Sequence, residues 1–168
     1  MIKKISLLTT VFALIMIMQA NAQIEKHQAT FIYNFTRLVQ WPEFYKEPSF
    51  IIGILGKDEA ITRELMQNIG QRTVAGKNIE IVEFATAADI GKCHLLFVPK
   101  GNNNEFNRAV PSLGNKPILI VTDNPTRHPI GSVINFTVEN GKLGIYLNKE
   151  LADAKKLLVS KQLVNFSR

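Results

Sequence analysis

Three histidines, one cysteine and a serine-aspartate-histidine set are the side chains of this 168-residue chain whose types could do chemistry. His27, His94 and His128 stand far apart, and neither H-x-x-x-H nor C-x-x-C occurs, so the paired spacing with which zinc ligands usually appear is missing. Asp123, His128 and Ser132 surround a proline-containing turn and suggest a hydrolase relay. The G-x-S-x-G elbow is absent, however, and these residue types in loops are ordinarily solvated. Gly53 and Gly56 in "GILGKDE" stand between a predicted strand and a predicted helix, but the stretch fits neither G-x-G-x-x-G nor G-x-x-x-x-G-K-[ST]. A tight turn that needs Gly56 explains it better. The sequence therefore predicts no catalytic constellation, no metal site and no cofactor.

The compartment decides how the lone thiol is read. Lys3 and Lys4, the apolar run Ile5–Met18 and the closing Gln19-Ala20-Asn21-Ala22 form the three parts of an export signal. At 14 residues the run is shorter than the roughly 20 that a spanning helix needs. The expected organisation is a signal peptide over residues 1–22 and a periplasmic domain over residues 23–168, with no lipidated cysteine at the junction. Loss of Lys3 and Lys4 lowers the net charge from +6 to +4, with 18 basic against 14 acidic residues. No basic cluster marks a nucleic-acid footprint. A single exported cysteine cannot form an internal disulfide, and Cys93 leads into the apolar run "HLLFV", so packing is its expected role.

The elements that must position any site follow from periodicity. "FIIGILG", "NIEIVEF", "HLLFVP" and "PILIVTD" read as strands separated by "DEAITRELMQNIG", capped by Asp58 and stopped by Gly70, by a short turn, and by a short, poor helix in "NEFNRAVPSL". Such alternation predicts a mostly parallel sheet with helices on its faces. Asn140-Gly141 between Val133–Glu139 and Lys142–Asn148 predicts a hairpin, hence a mixed α/β sheet with an antiparallel pair at one side, and a final helical stretch spans Lys149–Val164 with a break near Ser160.

Rings are concentrated in "FIYNFTRLVQWPEF", which holds the only tryptophan. Ile24, Phe31, Phe35 and Leu38, widened by Ile32 and Val39, form a helical stripe, interrupted by Gln28, that should dock on the sheet. Pro42 disfavours helix at Trp41, so the helix is expected to end near Gln40. Tyr33 and Arg37 share a different face. With Trp41 at the forced exit they form a candidate partner-binding patch of aromatic and guanidinium groups.

"ATFIYNFTRLVQWPE" resembles the signature AxFxYNFxxxxxWP of the YfiR-like family. "IIGILGKD", "GKCHLLFVP", "ILIVTDNP", "GSVINFTVENGKLGIYLN" and "LVSKQLV" continue the likeness in order, covering about Ala29–Val164. The resemblance implies a periplasmic α/β protein that regulates rather than catalyses. It implies an inner-membrane sensor as partner, a diguanylate cyclase in the best-known case with a histidine kinase as another type, and an outer-membrane-associated partner that relieves the restraint. A homodimer is open as well. With one cysteine this chain lacks the means for control by an internal disulfide.

Two functions stand side by side at this point. One is a non-enzymatic regulator acting through Tyr33, Arg37 and Trp41. The other is a small-molecule binding module using the crevice at the carboxyl ends of the parallel strands, near Gly56, Lys57, Asp123 and Asn124.

Overall fold

The computed structural model describes residues 23–42, 47–139 and 142–167. The expected signal peptide at residues 1–22 and the Asn140-Gly141 turn lie outside the described residues.

Seven strands form the main sheet: β2 (Phe50–Leu55), β3 (Thr73–Val74), β4 (Lys77–Phe84), β5 (Leu95–Val98), β6 (Leu119–Asp123), β7 (Ile134–Glu139) and β8 (Lys142–Leu147). Their spatial order is β3-β4-β2-β5-β6-β7-β8. The central five run parallel, and each edge carries one antiparallel strand. At one edge Glu139 faces Lys142, as the predicted hairpin requires. At the other, Ala75 and Gly76 both take positive φ between the paired Val74 and Lys77, the geometry of a two-residue turn of the primed kind. This second hairpin is absent from the sequence reading because β3 is only two residues long.

Helix α2 (Glu59–Ile69) follows β2, with Asp58 Oδ1 accepting from the Ile61 amide at its start, and α3 (Asn103–Leu113) follows β5. The chain leaves β2 toward one edge and β5 toward the other, and right-handed crossovers then put α2 and α3 on opposite faces. The expected poor helix is thus a full 11 residues. Pro111 is tolerated near its end, and Phe106, Ala109 and Leu113 are buried on one side.

Strand residues alternate between two cores. Ile52, Ile54, Leu95, Phe97, Leu119 and Val121 face α1 (residues 23–38) and α2. Leu55, Leu96, Val98, Ile120 and Cys93 face α3. Cys93 is fully buried, and burial pushes its thiol up to about 12, so it is a packing residue as expected.

Three expectations are corrected. Helix α1 stops at residue 38, not near Gln40, because β1 (Val39–Gln40) pairs antiparallel with β9 (Leu158–Val159). That long-range pairing also divides the predicted C-terminal helix into α4 (Lys149–Ala154), β9 and α5 (Lys161–Phe166), the last capped by Ser160. The buried line of α1 is Gln28, Ala29, Ile32, Phe35 and Thr36, whereas Phe31 and Leu38 are half-buried flanks and Ile24 is exposed. Small Ala29 and Thr36 face the core, so the docking face is rotated from the stripe of large side chains.

Candidate functional site

The three residues of the predicted patch converge on one groove, at the amino ends of β2 and β5. Helix α1 delivers Tyr33 and Arg37 one turn apart, β1 carries the chain outward, and Trp41 returns against the sheet. With Phe50, His94 and the β3 edge they line a cavity of about 720 Å³.

Its floor is a ring stack. Phe50 meets Trp41 edge-on at 4.9 Å between centroids and lies nearly parallel to His94 at 4.6 Å. Trp41 Nε1 donates to the His94 carbonyl at 2.9 Å, so the indole is fixed although part of its surface stays open. The Ile51 amide donates to His94 Nδ1 at 3.0 Å, which leaves the ring proton on Nε2. Burial, and then the nearby Lys77 charge, hold the His94 pKa down at about 4. The imidazole is therefore a neutral part of the floor at neutral pH.

Cations define the rim. Arg72 lies over the Tyr33 ring at 4.6 Å, a cation–π contact that fixes the phenol. Arg37 is exposed. Lys77 Nζ donates to the Glu47 carbonyl at 2.6 Å, while the Glu47 carboxylate is paired with Lys92, also at 2.6 Å. Among the described residues no carboxylate lines the groove. Phe50, His94, Lys77 and the β3 residues were not foreseen at this site, since nothing local in sequence connects them to residues 33–41.

The four residues proposed for the opposite crevice are not brought together. Gly56 takes φ +86° and donates its amide to the Phe84 carbonyl at 2.7 Å, which confirms the tight-turn reading. Lys57 is exposed. Asp123 lines a cavity of about 190 Å³ that the first turns of α1 help to wall, and its Oδ2 accepts from Gln28 Nε2 at 3.0 Å. Asn124 lines a different cavity of about 310 Å³. Its side-chain oxygen accepts from the Thr126 amide and hydroxyl at 3.0 and 2.8 Å, and its amide nitrogen donates to Asn103 at 3.2 Å. These groups hold the loop after β6.

The hydrolase set does not form a relay either. The buried Ser132 hydroxyl donates to the Ile134 carbonyl at 2.8 Å and lies 2.9 Å from the Thr122 hydroxyl. His128 Nε2 contacts the Ser132 carbonyl instead of the hydroxyl, and Asp123 is engaged by Gln28. Among the described residues no group of three or more histidine, cysteine or acidic side chains is arranged to hold a metal. No helix among them is long and apolar enough to cross a membrane.

Residues 25–168 match the YfiR/HmsC-like family, and the chain belongs to it. The family is one of periplasmic regulators of membrane signalling proteins. No curated protein matches the chain.

Proposed function

We propose that this YfiR/HmsC-like protein is an exported, non-enzymatic regulator that binds the periplasmic part of an inner-membrane sensor and controls its signalling. The sensor is of the diguanylate cyclase or histidine kinase type, and the contact is the groove of Tyr33, Arg37 and Trp41. Residues 1–22 serve as the export signal, and residues 23–168 form the regulatory domain. One observation carries the reading of the site: Tyr33 and Arg37, which lie off the apolar stripe of α1, and Trp41 at its proline-forced exit line a single open groove with an aromatic floor and a cationic rim. Half-open aromatic and arginine side chains around a packed centre are the usual makings of an interface hot spot.

The test is a photo-crosslinking residue placed at position 37 in cells that carry the cognate envelope, with parallel measurement of the sensor's output. Crosslinks to one inner-membrane signalling protein, together with altered output in Tyr33→Ala and Arg37→Ala strains that hold normal protein levels, are expected. Normal output in both strains would remove this groove from the regulatory contact.

A further inference from the structure

We infer that the groove receives an acidic, extended segment of the partner chain, which lies as a strand between β1 and β3 with an apolar side chain on the ring floor. The inference rests on the reading of this groove as the regulatory contact and adds the chemistry of what enters it.

Three features point to that occupant. The first is the backbone. Val39 and Gln40 of β1 form one wall and Thr73 and Val74 of β3 form another, and β3 ends its side of the seven-stranded sheet. A strand at a sheet edge offers amide and carbonyl groups in the repeat that another extended chain matches.

The second feature is charge. Arg37 and Lys77 line the groove and Arg72 stands on Tyr33 at its side, with no carboxylate among the described lining residues. Lys77 donates to the Glu47 carbonyl, while Glu47's own carboxylate is paired with Lys92. The lining is therefore complementary to aspartate or glutamate side chains, and such complementarity chiefly sets specificity and association rate.

Size and floor are the third. A volume of about 720 Å³ suits a few residues of an extended chain. Trp41, Phe50 and His94 present a ring floor on which Trp41 Nε1 and His94 Nδ1 are already bonded to the protein's own backbone. An apolar side chain settles there without breaking either of those bonds.

Trp41 is the only tryptophan, so its emission reports occupancy directly. The experiment selects random 12-residue peptides by display on the purified protein, with the Arg37→Glu variant as counter-screen, and titrates the selected peptides against Trp41 emission. Arg37 is exposed, so the variant should melt like the parent. The expected pool is enriched in Asp and Glu, and affinity falls about tenfold in Arg37→Glu and falls with added salt. N-methylation at alternate backbone nitrogens of the best peptide should weaken binding about tenfold, because edge pairing needs those N–H groups.

A neutral or basic pool, or binding indifferent to Arg37→Glu or to every N-methyl position, would overturn the inference. So would saturation of the Trp41 signal by a small organic anion such as phenylacetate when no peptide produces it. The two readings fail separately. Acidic peptides that bind while Arg37→Glu leaves signalling intact would support the ligand chemistry and remove the regulatory role. Lost regulation with a pool that is not acidic would do the reverse.

Discussion

The two ends of the parallel sheet differ in what helix α1 does to them. At the carboxyl ends, where open α/β sheets ordinarily bind ligands, the first turns of α1 help to wall the crevice, and Gln28 donates to Asp123. Asp123 is engaged by Gln28 and Asn124 by its own loop, around cavities of about 190 and 310 Å³. At the amino ends the same helix runs out, hands the chain to β1 and leaves a groove of about 720 Å³ whose rings are fixed and partly open. The usual place for a site is the more filled one and the unusual place is the more open, so fold class alone does not point to the proposed contact.

The largest expected effect breaks both ends together. Phe35 is fully buried between the two, with its ring 6.1 Å from Phe31 and 6.0 Å from Phe136. Phe35→Ala should cost about 3–5 kcal/mol in denaturant unfolding. Phe31→Ala should cost less, because Phe31 is only half-buried and its ring leans on the exposed Phe166. Equal costs would mean that the helix docks on its stripe of large residues after all.

Next comes the groove floor. Trp41→Ala removes the indole bond to the His94 carbonyl and the contact with Phe50, and should cost about 2–3 kcal/mol besides weakening partner binding. Trp41→Phe should recover part of the stability. A melt unchanged by Trp41→Ala would show that the ring is not held.

The pH dependence separates the ends further. The folded His94 pKa lies at about 4, below the ordinary value of 6.5, so between these values the unfolded chain binds more protons than the folded one. The stability that His94 contributes is therefore complete above pH 6.5 and is lost as pH falls toward 4. A decline of about 1–3 kcal/mol over that window is expected in melts taken at successive pH values. His94→Gln should flatten much of the slope, leaving a part from His128, whose pKa burial also lowers.

The smallest effects on folding sharpen the contrast most. Gln28→Ala at the carboxyl end should cost about 1 kcal/mol and leave regulation intact. Arg37→Ala at the amino end should change stability by no more than about 0.5 kcal/mol and still disturb regulation. The reverse pattern would transfer the contact to the crevice.

How much was legible beforehand follows from the range of each signal. The sheet strands other than β3, the Asp58 cap of α2, the Gly56 turn and the buried Cys93 were readable because each depends on neighbours a few residues away. So was the exposure of Arg37, since helical spacing is local, whereas Tyr33 packs in part against the core. The exit of α1 was placed two residues late, because the pairing of Val39 with Val159 spans most of the chain and has no local trace. The same holds for the ring stack, since Trp41, Phe50 and His94 meet only when β2 and β5 lie side by side. It holds too for the more filled crevice, which depends on Gln28 reaching Asp123 across 95 positions. Sequence periodicity determined which segments form helices and strands, because a helix or strand repeats over a few residues. Tertiary structure alone decided which end of the sheet stays open, because that depends on where one helix begins and ends against strands that the chain reaches much later.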